Sequence, residues 1–379
     1  MSSVKEHKLD KGLLLAILTL IGVGLVQVYS SSYIYAIDNY GNGHHFFLKQ
    51  VSFAIFGIGL LFFFANLKWK FAKLFGYILL LLSLSGLILT LIPGIGVEAG
   101  GAHRWIQLPG GFRFEPSELL KVTFPLFIAL LMVTKPISSL GKFDPWVRFF
   151  LVSLPFILLH KQPDFGTLAL LFVTLISILF VFGLKWRHLL FAGVMAVPAL
   201  YFLVFNVPYR MARIKGFLDP WADPTEKGFQ ILQSLMSFQS GGVWGAGLGQ
   251  GQGKLFFLPE AHTDFTLAVL GEEMGLIGFL IVLMIYGYIV FRGLQISAQV
   301  ERDFEKIVAL GITSIFAFQV FTNMGVVLGL LPTKGLTLPF LSYGGSSLIA
   351  TCIGFGWLLN IERMFGKRSS LKIIRNGHW

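Results

Sequence analysis

Long uncharged apolar runs, separated by short polar or glycine- and proline-containing breaks, fill the chain from about residue 12 to residue 361. The runs are apolar all round rather than along one amphipathic stripe, which is what a helix facing hydrocarbon requires. A hydrocarbon core of about 30 Å takes about 20 helical residues to cross. On that basis the pattern predicts ten spans, at 12–32, 46–66, 72–93, 116–134, 147–160, 165–184, 188–206, 264–291, 307–330 and 343–361. The fifth is short, because His160-Lys161-Gln162-Pro163-Asp164 places a proline and charged groups at its end. The first follows Lys5, Lys8 and Lys11 as a signal peptide would, yet runs to about Ser32 without an A-x-A-like cleavage site, and reads as a retained span. The expected fold class is an all-α integral membrane protein of about ten transmembrane helices, forming a single polytopic domain over 1–379.

Two segments are too long to be plain connectors, 94–115 and 207–263, the latter lying between the seventh and eighth spans. Long loops with local structure commonly carry function. Within the second, Gln230 to Gln239 is amphipathic enough for a short interfacial helix. The run Gly241-Gly242-Val243-Trp244-Gly245-Ala246-Gly247-Leu248-Gly249-Gln250-Gly251 follows it. It reads either as a flexible loop or as a structured one, and it is no dinucleotide fingerprint, since no strand precedes it. A basic tail occupies 362–379.

Composition narrows the class. Of 379 residues 13% are charged and 55% hydrophobic, against roughly 25% charge in a soluble domain, which excludes a water-soluble globule. The single cysteine, Cys352, excludes an intrachain disulfide and a cysteine-based metal site. The net charge of +11 would suggest nucleic acid in a soluble protein. Divided by side of the membrane it does not: 19 of the 30 basic residues fall in one set of alternate segments, including both termini, where the net charge is +12. The remainder nets −1. The excess is a topology signal that puts both termini in the cytoplasm, and no nucleic-acid partner is expected.

Charges that enter a span are functional candidates. The fourth span opens with Arg113-Phe114-Glu115-Pro116-Ser117-Glu118-Leu119-Leu120-Lys121. Glu118 and Lys121 share a helix face, and two readings stay open: an internal ion pair that locks helices, or a cationic floor for an anionic ligand. Asp264 stands at the start of the eighth span, where a carboxylate can cap the helix or, partly desolvated, serve as a general base. Glu272 and Glu273 lie roughly 12 Å deeper, too far for a dyad with it, and one of them is expected to pair with a basic residue on a neighbouring helix. His44 and His45 are adjacent, so their rings diverge and complete no metal shell. Trp105, Trp221 and Trp244 are expected as interfacial anchors. Pro332-Thr333-Lys334-Gly335 and the stretch from Leu338 to Ser347 break the helical pattern between the last two spans, which implies backbone lining a cavity or meeting a partner. Arg104, Arg113, Lys121 and Lys334 thus gather with Asp264 at the outer end of a bundle, a setting suited to a lipid-linked anion.

At these residues the chain resembles the SEDS family of bacterial cell-wall polymerases. The resemblance is carried by Ala102-His103-Arg104-Trp105-Ile106, by Pro116-Ser117-Glu118 with Lys121, by Pro259 to Phe265 with Gly271-Glu272-Glu273-Met274-Gly275, and by Leu338 to Leu348. Pro259-Glu260-Ala261-His262, Gly271 and Gly329 to Gly335 are more similar to the division (FtsW) type than to the elongation (RodA) type. The resemblance implies polymerisation of lipid II into glycan strands at the septum of the bacterial inner membrane, by inverting transfer with undecaprenyl pyrophosphate as leaving group. It implies a class B penicillin-binding transpeptidase and other divisome membrane proteins as partners. It further implies Asp264 as catalytic base, Arg104, Arg113, Glu118 and Lys121 at the pyrophosphate, and Pro332 and Lys334 in partner or loop coupling. Glu260, His262, Glu272 and Ser342 are implied in support. Whether a divalent cation takes part is left open. Glu115 departs from the glutamine usual before Pro-Ser-Glu, and an extra carboxylate there would weaken an anion site. Two competing readings are a lipid II flippase, which needs polar groups at the midplane open to both sides in turn, and a non-catalytic division scaffold.

Overall fold

The computed structural model describes residues 9–99, 102–134, 144–187, 190, 193–194, 208–224, 228–253, 261–333 and 335–365. Helix α1 (Lys11–Tyr40) starts where Asp10 accepts hydrogen bonds from the amides of Gly12 and Leu13, and it ends at Gly41 in the left-handed conformation. α2 (His45–Asn66) and α3 (Trp69–Thr90) follow. A small antiparallel sheet, β1 (Gly96–Ala99), β2 (Ala102–Gln107) and β3 (Arg113–Phe114), fills the first long loop, in the order β1-β2-β3 with Gly96 opposite Ile106 and Gln107 opposite Arg113. Then come α4 (Pro116–Val133), α5 (Asp144–Lys161), α6 (Phe165–Val181), α7 (Pro208–Leu218) and α8 (Phe229–Gly241), and finally α9 (Thr266–Gln299), α10 (Asp303–Val327) and α11 (Gly345–Phe365).

Among the described residues, α1, α2, α3, α4, α9, α10 and α11 are long and apolar enough to cross a membrane, and α6 is a shorter apolar helix. The protein is thus a helical, multi-pass membrane protein. Nine of the ten predicted spans coincide with a helix, and the seventh, 188–206, lies almost wholly outside the described residues. α1 is longer than its predicted span, about 45 Å at 1.5 Å per residue, and carries its last turns past a 30 Å hydrocarbon core. α4 is the centre of the bundle: every side chain from Pro116 to Ala129 is buried, against α3, α10 and α11. Pro116 suits the first helical position because its missing N–H would be unpaired there anyway.

Both ends of the helical region lie at one end of the bundle. Arg292 of α9 bonds to Asp10, at 2.8 Å from Nε, and to Glu362 of α11, at 3.0 Å. Asp264, the sheet and α8 occupy the opposite end.

The glycine-rich run is not a flexible tether. α9 is broken at Gly275, whose φ of 66° and ψ of −167° belong to a region essentially restricted to glycine. The backbone groups freed by the break are taken by the run itself: the Ala246 and Gly247 amides donate to the Glu272 and Glu273 carbonyls, while the Leu276 and Ile277 amides donate to the carbonyls of Gly242 and Val243. α8 descends along α9 to reach this break, burying Ile231, Leu232, Ser234 and Ser237. The two helices meet so closely that a Cβ on Gly241 would fall 2.2 Å from the Gly271 carbonyl oxygen. Non-helical backbone below a membrane surface is tolerated where protein satisfies it, and here a second loop does so.

Candidate functional site at the Asp264 end

The segment 335–344 is the second irregular stretch, and it enters the bundle between α1, α2, α9 and α10. Its carbonyls find side-chain donors on those helices. Asn323 Nδ2 donates to Leu336 O at 2.7 Å, Gln319 Nε2 to Thr337 O at 2.8 Å, Tyr286 Oη to Pro339 O at 2.6 Å, and Gln50 Nε2 to Ser342 O at 3.2 Å. Ser342 Oγ accepts from the Leu338 amide at 3.0 Å and so closes the turn on itself. Phe340, at φ 67° and buried, is held there among Phe316 and Phe355.

This frame joins the two regions singled out by their charge. Lys121 is 2% exposed, and its Nζ lies 2.8 Å from Glu118 Oε1 and 3.1 Å from Gln319 Oε1. Asn323, one turn from Gln319 along α10, also donates to the backbone carbonyl of Asp264 at 2.9 Å. One face of α10 therefore fixes the Lys121–Glu118 pair, the irregular segment and the Asp264 turn in a single hydrogen-bonded arrangement. Asp264 is half-buried in the turn that leads into α9, and a Cβ on Gly335 would stand 3.6 Å from its Oδ2. A small cavity of about 20 Å³ lies beside the pair, polar at Lys121, Glu118, Gln319 and Thr351, apolar at Ile312, Ile315, Phe316 and Phe355, with Pro339 at its wall.

The other residues proposed from the sequence divide by place. Arg104, on β2, donates to the Pro163 carbonyl at 2.6 Å and stands 3.8 Å from Asp164, tying the sheet to the corner between α5 and α6. Arg113 is exposed on β3. His262 packs against Tyr35, Phe46 and Tyr343, and its carbonyl accepts from the Tyr343 amide. Pro332 is half-buried, next to Thr333, whose carbonyl accepts from Arg213 of α7 at 3.1 Å. Lys334 and Glu260 lie outside the described residues. Among the described residues Glu272 meets no basic side chain of the kind expected for one of the two glutamates: its carboxylate accepts from the amides of Gln252 and Gly253, at 2.7 and 3.1 Å, and holds the end of the glycine-rich loop against α9. Ser30 of α1 donates to Glu273. Of the predicted anchors, Trp221 and Trp244 are exposed and Trp105 is half-buried.

Glu115 takes a different character from the one its formal charge suggests. Burial, followed by the neighbouring carboxylates of Glu118 and Asp164, pushes its carboxyl up to about 8, with Lys121 opposing. Near neutral pH it is mostly uncharged. Gln50, Gln319, Asn323 and Tyr286 were not anticipated as site residues. Their signal is the uncharged polar side chain within an apolar span, which a search for charges passes over. Among the described residues no group of three or more His, Cys, Asp or Glu side chains converges as a metal shell requires.

Fold and site together define a multi-pass helical membrane protein with a polar, loop-lined centre among its helices. Residues 11–366 match the FtsW, RodA and SpoVE family of cell cycle proteins, and the chain belongs to that family. It is 43% identical over 370 residues to the probable peptidoglycan glycosyltransferase FtsW of Geobacter sulfurreducens, covering 95% of this chain and 97% of that protein. It is 38% identical over 361 residues to the stage V sporulation protein E of Bacillus subtilis, covering 94% and 98%. Among solved structures, a chain of a peptidoglycan synthase complex that coordinates polymerization and crosslinking is similar with a TM-score of 0.74 at 31% identity, over 94% of this chain and 98% of that one. The rod shape determining protein RodA of Thermus thermophilus is similar with a TM-score of 0.67 at 28% identity, over 94% and 97%.

Proposed function

We propose that the chain is a peptidoglycan glycosyltransferase that polymerises lipid II at the outer leaflet of the bacterial cytoplasmic membrane, in division at the septum. The glycosyltransferase assignment is supported by the relatives that bear that name over nearly the whole length of both chains. The observation that carries the site assignment is the shared frame on α10, which sets the Asp264 turn and the buried Lys121–Glu118 pair on either side of one irregular segment. In this reading the Asp264 carboxylate takes the proton of a sugar hydroxyl as its oxygen attacks the anomeric carbon of a lipid-linked strand. The bond to undecaprenyl pyrophosphate breaks with inversion, and the electron pair leaves with the phosphate oxygen. A glycosidase needs a carboxylic acid to protonate its leaving group, but a pyrophosphate departs as a stabilised anion. Cations aimed at the developing charge can do that work. Arg113 is exposed on β3, its carbonyl 3.5 Å from Ser346 Oγ of α11, and Arg104 and Lys121 add positive charge that Asp164 and Glu118 hold in place.

Cytoplasmic termini follow from the distribution of lysine and arginine, and the Asp10–Arg292–Glu362 cluster places both ends of the helical region at one end of the bundle. A class B penicillin-binding transpeptidase is the proposed partner, supported by the likeness to a chain of a synthase complex that couples polymerization to crosslinking. Other divisome membrane proteins are proposed beside it, with Pro332 and Lys334 on the coupling loop. The test is purified protein with its transpeptidase, given lipid II. Asp264→Asn should lower strand synthesis by about 10²- to 10⁴-fold, the usual contribution of a general base, and parental activity in that variant would remove the assignment. A protein that only translocated lipid II would yield no glycan product in this assay.

A further inference from the structure

Four separate segments bring aromatic rings together beside the Asp264 turn. Tyr35 and Tyr40 come from the end of α1, His45 and Phe46 from the start of α2, His262 from the turn two residues before Asp264, and Tyr343 from the irregular segment. Tyr40 stacks on His45 with centroids 4.2 Å apart and planes at 7°, and Tyr35 stacks on His262 at 5.4 Å and 28°. Phe46 lies under both, 5.0 Å from His262 and 5.1 Å from Tyr343. Phe46 is buried, whereas Tyr35 is 39% and Tyr40 55% exposed, so the buried ring is a floor and the tyrosines are the surface. α1 and α9 run antiparallel, with Gly12 against Tyr288 and Ser30 bonded to Glu273, which sets the extra turns of α1 level with Asp264. Beside the exposed rings stand the exposed polar residues Asp38, Asn39 and Asn42, with Ile37 also exposed between the two tyrosines.

An interfacial belt of tyrosines needs neither stacked pairs nor convergence from four segments. A pyranose does. One face of the ring is a patch of C–H groups that seats on an aromatic plane, and its rim of hydroxyl and acetamido groups requires carboxylate and amide partners at the side. Tyr35 and Tyr40 are five residues apart, about 7.5 Å along the helix axis and about 140° around it, and both pack on Phe46, with ring centroids 5.9 and 5.6 Å from it. We infer that the aromatic cluster in which Tyr35 and Tyr40 flank Phe46, backed by His262 and His45, is a carbohydrate subsite that holds the growing glycan strand next to Asp264. The inference rests on the glycan-polymerising function proposed above and adds to it the surface that keeps the strand from leaving between transfers.

The experiment uses the full chain in lipid nanodiscs. One arm measures strand length and turnover with lipid II, and the other measures binding of a soluble, peptide-free N-acetylglucosamine–N-acetylmuramic acid oligomer. Tyr35→Ala with Tyr40→Ala should shorten strands several-fold and weaken oligomer binding by about ten-fold, with the rate of the first transfer unchanged. Tyr35→Phe with Tyr40→Phe keeps both rings and should behave as the parent, which separates loss of the surface from loss of fold. Asp264→Asn should make strands at the same greatly lowered rate expected above, about 10²- to 10⁴-fold below the parent, and still bind the oligomer. Parental strand length and oligomer binding in the double alanine variant would overturn the inference. So would a defect confined to KM for lipid II, because the rings would then read the lipid-linked sugar and not the strand. If Asp264→Asn polymerised normally while the alanine variant lost oligomer binding, the catalytic assignment would fall and the subsite would stand.

Discussion

Replacing Lys121 by methionine removes the counter-charge of a buried carboxylate. Lys121 is 2% and Glu118 8% exposed, and they meet at 2.7 to 2.8 Å. Breaking such a pair from one side costs about 3–5 kcal/mol, or roughly two to three decades in the ratio of folded to unfolded protein. Exchanging both members for apolar residues, as in Glu118→Leu with Lys121→Met, leaves no buried charge. It leaves Gln319 Oε1 without the Lys121 donor now 3.1 Å away, a loss of about 1–3 kcal/mol. The double variant should therefore recover about 2 kcal/mol relative to Lys121→Met, a coupling of the size expected for residues in contact. Unfolding of each variant in detergent gives the stabilities, and lipid II polymerisation by the same preparations gives the activities. If Lys121 is part of the site, the double variant regains stability and stays inactive. Polymerisation at the parental rate in the double variant would refute the catalytic part and reduce the pair to a lock between helices. A cost below about 1 kcal/mol in Lys121→Met would refute the burial argument itself.

Glu115, held at about 8 by burial, binds a proton in the folded state over a range where the unfolded carboxyl, near 4.5, has lost it. Stability attributable to it is full below about pH 4.5 and is lost as the pH rises through about 8, so Glu115→Gln should gain in Tm over the parent across that window, and should lack the rise in KM for lipid II that the parent shows above pH 8. Gly275→Ala places a Cβ 2.4 Å from the Gly245 amide nitrogen and 2.5 Å from the Val243 carbonyl oxygen; together with backbone strain of about 1–3 kcal/mol, this should free the loop, read as new protease cleavage within 241–253 and a lower Tm. Asn323→Ala strips the donor from the carbonyls of Asp264 and Leu336. It should lower kcat at little change in KM, and kinetics showing the reverse would mean that Asn323 shapes lipid II binding and not the Asp264 turn.

The class of the molecule and the positions of nearly all its apolar helices were legible in the linear order of residues. Hydrocarbon imposes a strict rule on length and polarity, so apolar runs of about twenty residues announce themselves. Asp264, Glu118 and Lys121 stood out because charge in such a run is costly. The small sheet in 94–115 was not legible as strands, since its alternation is only a few residues long.

The sequence alone determined, in this way, what each segment could be. It left undecided what the two glycine- and proline-rich stretches do, because their backbone groups are satisfied by residues far away in the chain. Gly241 to Gly251 became a plug only by meeting the break at Gly275, and 335–344 became the wall of a site only when Gln50, Tyr286, Gln319 and Asn323 supplied its donors. The same holds for Glu115, whose carboxyl is charged in the sequence and mostly neutral in the fold near pH 7, because burial and two nearby carboxylates disfavour its ionised form. Periodicity and hydropathy are local sums and can be read in order along the chain. Hydrogen-bond satisfaction and desolvation depend on which distant groups arrive at the same place, and only the tertiary structure decides that.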